Sequence, residues 1–318
     1  MSEQYVRAAV VSEAGGPLAP GRVPRAVPTA GQAVVRVGAV SLNPADVMRA
    51  SGTYPGVTAT FPMVGGLEGV GRVVRSGRLA VGTRVYWQGE GTLAEEVVVD
   101  EDALNVVPDD LPDDLAVTLG VAGVTAYLAL SDVAAMRPGA RVLVLGASGA
   151  VGGFGVQLAR ILGAKHIVAA GRDRTTLARL DGVADAVVAL VDDVPYAQQL
   201  ARAQPEGYDV VLDPVFGRLL TAALETLAPG GRIVTVGVVA APQTVVTADL
   251  LARGASIRTY NGHLVTRSVF NAAYAAVAQL AAAGRLSVER RVLAWGQVGE
   301  AWDELADGPR HKLVVTVS

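Results

Sequence analysis

The chain has 318 residues, of which 51% are hydrophobic and 18% charged, with a formal net charge of −3. That length accommodates about two domains, and the mild acidity excludes a general nucleic-acid binder, which needs a basic face. Cysteine is absent, so disulfides are excluded and nothing points to secretion.

The stretch Met1 to Arg7 has no basic region leading into an apolar run, so no signal peptide is expected. The first third then reads as all-β. Val6–Val11 is a short strand ended by Gly15-Gly16-Pro17, and Ala33–Val40 alternates before breaking at Asn43-Pro44. Gly69–Arg75, Arg84–Trp87 and Leu93–Val99 are further strands between glycine-rich turns. Strands at this spacing predict a small barrel or sandwich. The acids and prolines of Asp109–Asp114 mark a connection leading into a helix. The uncharged run Leu115–Leu130 carries two glycines and two threonines. It falls short of the roughly 18 residues of a spanning helix, which predicts a buried helix and no membrane segment.

Beyond Ala116 helices and strands alternate. Strands are expected at Arg141–Leu145, His166–Ala170, Ala186–Leu190, Tyr208–Leu212 and Arg232–Val236, and helices at Gly152–Leu162, Thr175–Leu180 and Arg218–Leu227. This alternation predicts parallel βαβ units with both sheet faces covered. An alanine-rich helix, Val269–Ala283, and a further strand, Leu313–Val317, follow.

Strand Arg141–Leu145 runs directly into Gly146-Ala147-Ser148-Gly149-Ala150-Val151-Gly152 and then a helix. In a dinucleotide fingerprint the first small residue makes the turn, the second admits the pyrophosphate and the third packs helix on strand. Those roles fall to Ala147, Gly149 and Gly152, with the pyrophosphate at the helix N-terminus. The next strand ends in Gly171-Arg172, where an NAD enzyme carries an acid for the ribose 2′-hydroxyl. Loss of that acid removes repulsion against a 2′-phosphate, which a guanidinium grips, so the cofactor expected is NADPH. The other reading makes Arg172 and Arg174 a solvated turn, with Asp173 as the ribose ligand.

Leu145–Gly152, with Gln157-Leu158-Ala159-Arg160 and Gly163-Ala164 after it, resembles the nucleotide loop of zinc-independent quinone oxidoreductases. Ala39–Asp46, Ser51–Pro55, Gly123–Tyr127, Gly207–Asp213 and Gly230–Val234 are similar to that family's motifs in the same order, and Val64–Val70 is similar to a stretch of enoyl-thioester reductases. The resemblance covers essentially the whole chain and places it in the quinone oxidoreductase and enoyl reductase branch of the medium-chain dehydrogenase/reductase superfamily.

The implied fold is α/β. A GroES-like β-barrel catalytic domain takes residues 1–118 and 261–318, and a doubly wound Rossmann domain, 119–260, is inserted into it. Zinc-dependent relatives coordinate their metal through cysteine and histidine. Here Asn43 stands at the first cysteine position and Leu67 at the histidine position, so no metal is expected. Without a Lewis acid an isolated ketone is hard to reduce. Hydride transfer from NADPH to a quinone or an activated enone or enoyl double bond is the implied reaction.

By resemblance Tyr54 stands near the substrate as proton donor or orienter. Read alone it is equally a rim tyrosine before Pro55, since a phenol is a slow acid near neutral pH unless tuned. Asn43 would bind the nicotinamide ribose or the substrate oxygen, or serve as an Asn-Pro turn residue. Cofactor contacts are expected from Asn43, Thr125, Ala147, Ser148, Gly149, Ala150, Val151, Gly152, Gly171, Arg172, Gly237 and Lys312. Thr125 is otherwise a plain helix residue, and surface charge is the other reading for Arg310 or Lys312. Tyr260-Asn261-Gly262-His263 departs from the family pattern. Relatives pair the strand at Ala255–Tyr260 across a two-fold axis, which implies a homodimer; the cytoplasm is the default for a sequence with no cysteine and no visible signal peptide, and the expected substrate is a small molecule. A non-catalytic NADPH-binding protein of the same fold is the alternative.

Overall fold

The computed structural model describes residues 4–237, 240–308 and 311–317. The chain forms two compact units, Met1–Val121 with Arg267–Ser318, and Ala122–Thr266.

The first unit is built mainly from antiparallel strands, with Arg290–Ala294 and Lys312–Thr316 paired in parallel. Leu18–Pro24, Tyr5–Val11 and Met63–Val64 form a three-stranded sheet in that order. The larger sheet runs Arg290–Ala294, Lys312–Thr316, Gln32–Ser41, Glu68–Arg75, Arg84–Gln88 and Asn105–Val106, with Glu96–Asp100 branching onto Gln32–Ser41. Alternation is the cause of its core: Ala33, Val35 and Val37 point inward and pack with Trp87, Leu93, Trp302, Leu313 and Val315. One pairing of this sheet is long-range. Val314 lies opposite Ser41, and Val315 opposite Val40.

Two elements of this unit run against local propensity. Leu18–Pro24 contains Pro20, Gly21 and Pro24, yet pairs with Tyr5–Val11 over its whole length. It lies at the sheet's edge, where a missing N–H is tolerated. Asn43-Pro44, read as a break, instead opens the helix Pro44–Ala50. Proline suits the first helical position, where no N–H partner is needed, and the Asp46 carboxylate reaches back to accept from the Asn43 N–H at 2.7 Å.

The second unit contains a six-stranded parallel sheet among the described residues. Across it lie Ala186–Ala189, His166–Gly171, Arg141–Val144, Tyr208–Asp213, Leu227–Thr235 and Ser256–Thr259. Numbered along the chain from Arg141, that order is 3-2-1-4-5-6, the doubly wound arrangement, whose ligand crevice opens where the order reverses. Val142, Leu143 and Val144 are fully buried in the central strand, as expected of a sheet covered on both faces. Helix Ala150–Ile161 covers one side through Phe154, Val156 and Leu158. Tyr196–Ala203, rich in the helix formers alanine, glutamine, leucine and arginine, adds another helix, anchored by Leu200. The run Leu115–Leu130 is not one α-helix: its turns widen to π geometry at Leu119–Val124 and at Ala129–Val133.

Leu143 has no exposed surface and packs in the cluster of Leu145, Val168, Val211 and Ile233. Leu143→Ala should therefore lower unfolding stability by about 2–5 kcal/mol through lost burial and the cavity left behind. Urea titration checks this; a change below about 1 kcal/mol would mean the centre of the sheet repacks freely.

Candidate active site

The glycine loop is shaped for an anion. Gly146 takes a left-handed φ of +57°, which glycine adopts without strain. Ala147 donates its N–H to Ala170 O at 3.0 Å, tying the loop to the adjacent strand end. A Cβ on Gly152 would collide with Gly146 O and lie 2.7 Å from Ala147 Cα, so only glycine lets the helix's first turn settle on the loop. Gly149 is the N-cap of that helix and is exposed, and Ala150 and Val151 open it. Ser148 points toward Gly171, whose added Cβ would lie 3.3 Å from its hydroxyl. The residues present fit a dinucleotide pyrophosphate.

Beyond Gly171, Arg172 is exposed while Asp173 is committed elsewhere. Its carboxylate accepts from the N–H groups of Thr175 and Thr176 at 3.0 and 3.3 Å, capping Arg174–Leu177. At the other end of the sheet, Gly237 lies against Pro214, whose carbonyl oxygen would sit 2.8 Å from an added Cβ. Thr125 donates a hydrogen bond to the phenol of Tyr260, and the Tyr260 N–H reaches Thr235 O at 3.0 Å. Burial pushes the Tyr260 phenol upward, with the Thr125 bond opposing. Tyr260 thus joins Thr125 beyond the carboxyl ends of the last two strands. Buried Asp213 gives one oxygen to the N–H groups of Val215 and Phe216, both at 2.9 Å, and its other oxygen has no partner.

The first unit holds a buried polar cluster around Asn43. Asn43 Nδ2 donates to Ser41 O at 3.2 Å and to Glu68 Oε1 at 2.9 Å, and Asn43 Oδ1 accepts from the Lys312 ammonium. Both amide hydrogens are therefore used within the unit, and the residue is only 3% exposed. Lys312 also donates to Leu42 O at 2.8 Å and stands 3.6 Å from Glu68 Oε1. Glu68 accepts further from Ser41 Oγ at 2.8 Å, Tyr86 OH at 3.1 Å and the Val121 N–H at 2.7 Å. The Asn43 amide and the Lys312 ammonium thus face inward, toward each other. Arg310 lies outside the described residues.

Asp46 completes the cluster. Burial pushes its carboxyl up to about 7; the Asn43 N–H and the Lys312 charge pull it down, and Glu68 adds to the rise. Its second oxygen has no partner. Burial lowers Lys312 in turn, opposed by attraction to Glu68 and Asp46. Tyr54 is half-buried, its N–H bonded to Met48 O at 3.0 Å, with the Arg49 guanidinium 6.0 Å from its ring. Sequence reasoning gave no role to Glu68, Tyr86 or Arg49. For Glu68 the available signal was a lone acid inside the otherwise uncharged run Val64–Val70.

Residues 29–109 match the family described as alcohol dehydrogenase GroES-like domain, and residues 150–282 match zinc-binding dehydrogenase. The chain is 38% identical over 225 residues to a component of the phenolphthiocerol/phthiocerol polyketide synthase of Mycobacterium tuberculosis, covering 68% of this chain. It spans only 10% of the length of that much larger relative. It is 30% identical over 253 residues to prostaglandin reductase-3 of Mus musculus, covering 74% of this chain and 66% of the relative. An alcohol dehydrogenase superfamily protein from Novosphingobium aromaticivorans superimposes with a TM-score of 0.89 at 26% identity, over 98% of this chain and 100% of that one. Quinone oxidoreductases and enoyl reductases share the fold. The chain belongs to the medium-chain dehydrogenase/reductase superfamily. No helix among the described residues is long and apolar enough to cross a membrane.

The Asp46 carboxyl binds its proton more tightly in the folded chain, at about 7, than at its ordinary 3.8. Its contribution to stability is therefore complete below about pH 4 and lost as pH rises through about 7. Asp46→Asn should flatten this descent, so that urea midpoints at pH 5 and pH 8 differ less than in the wild type. An unchanged difference would show that Asp46 is ionised throughout.

Proposed function

We propose that the chain is an NADPH-dependent oxidoreductase that reduces a quinone or an activated enone or enoyl double bond without zinc. The observation that carries this reading is the donor set around Asn43. The residue at the first zinc-cysteine position is an amide bonded to an ammonium, Leu67 replaces the histidine, and the sequence has no cysteine. A positive charge already occupies that place, and amide, ammonium and leucine offer no thiolate or imidazole to zinc. Reduction then favours acceptors that spread the developing charge over their own conjugated oxygens.

Bound NADPH supplies the hydride. Ala147, Ser148, Gly149, Ala150, Val151 and Gly152 hold the pyrophosphate, and Gly171 leaves room for the adenosine ribose. Arg172 takes the 2′-phosphate, since Asp173, its rival as a ribose ligand, is occupied in capping a helix. Gly237 and Thr125 hold the nicotinamide end. Asn43 and Lys312 act as one unit that fixes the loop entering Pro44–Ala50, and Tyr54, just beyond that helix, donates or relays the proton. A homodimer paired through the edge strand Ser256–Thr259, in the cytoplasm, completes the proposal.

NADPH oxidation should be seen with at least one of benzoquinone, phenanthrenequinone, crotonyl-CoA or a small enone, and should survive prolonged EDTA. Stoichiometric zinc whose removal abolishes turnover would overturn the reading. On the best enone, Tyr54→Phe should lower kcat by about ten- to a thousandfold; a full kcat removes Tyr54 from the mechanism.

Fluorescence titration should show tighter binding of NADPH than NADH. Arg172→Ala should weaken NADPH by about ten- to a hundredfold as a charge-assisted phosphate contact is lost. Equal affinities in the wild type would exclude the phosphate assignment.

A further inference from the structure

Asp192 lies just beyond the strand neighbouring Gly171-Arg172. The Leu190 N–H bonds Gly171 O at 2.8 Å, so the two strand ends are tied together. Asp192 Oδ1 accepts from Arg218 Nη2 at 2.9 Å and from the hydroxyl of Tyr196. The Arg218 guanidinium lies 4.9 Å over the Tyr196 ring. The charge of Arg172 acts on both Asp192 and Tyr196, and Arg172 makes no ion pair among the described residues. One guanidinium group and a phenol hydroxyl thus meet on a single carboxylate that also feels the charge of Arg172, and the residues come from three separate segments of the second unit.

The Asp192–Arg218 pair is exposed on both sides, 69% and 68%. Such pairs hold a fold together weakly, so the effect of this carboxylate falls on what the surrounding cations bind. A phosphate offers more acceptor oxygens and more charge than a carboxylate, and guanidinium groups grip it bidentately.

Resting on the reading that the cofactor is NADPH, we propose that Asp192 is a resident counter-anion of the 2′-phosphate site. In the free protein it holds Arg218 and Tyr196, and the 2′-phosphate takes its place on them beside Arg172. Asp192 therefore sets the specificity of the site by tempering affinity for the phosphorylated cofactor. A cofactor with a plain 2′-hydroxyl has no anion to exchange and leaves the cluster intact.

The test is titration of NADPH and NADH on the wild type, Asp192→Asn, Arg218→Gln and the double variant, following cofactor fluorescence. Asp192→Asn should tighten NADPH by about three- to tenfold, with NADH changed by less than about twofold. Arg218→Gln should weaken NADPH selectively, and in the double variant the gain from removing Asp192 should shrink. An NADPH-preferring wild type that does not respond to Asp192→Asn overturns this inference alone. Weaker NADH binding with NADPH unchanged also overturns it, since Asp192 would then serve the ribose hydroxyl. Equal binding of both cofactors by the wild type, with no response to Arg172→Ala, overturns the cofactor reading and this inference together.

Discussion

The ammonium of Lys312 is buried where three segments of the first unit meet, and the side chains around it are arranged to answer its charge. A cation withdrawn from water is tolerated only when charge and hydrogen bonds replace the lost solvation. Here Glu68 supplies the charge, while Asn43 and Leu42 supply the acceptors. The arrangement then propagates. Glu68 fixes Ser41, Tyr86 and the Val121 backbone, and the Asn43 amide loses its freedom to turn. Gly120 is needed for the same reason, because a side chain there would overlap the Tyr86 ring that reaches Glu68.

The second unit meets a different constraint, that of bringing backbone close to a pyrophosphate. It is met by leaving side chains out. Gly146 and Gly152 let the loop double back under the first helical turn, and the Ala147 amide stitches that loop to the neighbouring strand. One unit positions its groups by saturating every polar atom it can, the other by clearing space for a ligand's own polar atoms. Among the exceptions, Asp46 and Asp213 each keep one buried oxygen without a partner.

What was legible in the sequence follows from the range of the forces involved. Alternation in Ala33–Val40, the buried run at Arg141–Leu145 and the glycine heptad after it are local signals, and all three appear in place in the structure. The helix at Pro44–Ala50 was missed because Asn-Pro signals a break as readily as a start, and only the return bond from Asp46 separates the two. Leu18–Pro24 was missed because its pairing comes from a neighbouring strand and not from its own prolines and glycine. The role of Glu68 was out of reach for a further reason. The polar partners Asn43 and Lys312 are 269 residues apart, and a cluster assembled over that separation leaves no periodic trace. The Asp192, Tyr196 and Arg218 group is likewise brought together from separate segments, with Arg218 26 residues beyond Asp192.

The pairing of Val314 with Ser41 has a consequence for how the chain is made. The first unit's larger sheet includes a strand, Lys312–Thr316, that leaves the ribosome only after every described strand of the second unit has emerged. The inserted unit can therefore assemble while the chain is still growing, and the strand Gln32–Ser41 must wait with one edge and one half of the charged cluster uncovered. During that interval Glu68 has no ammonium opposite it. The late strand thus delivers the neutralising charge and joins the sheet in a single event, so that burial of the cluster is coupled to prior synthesis of the whole inserted unit.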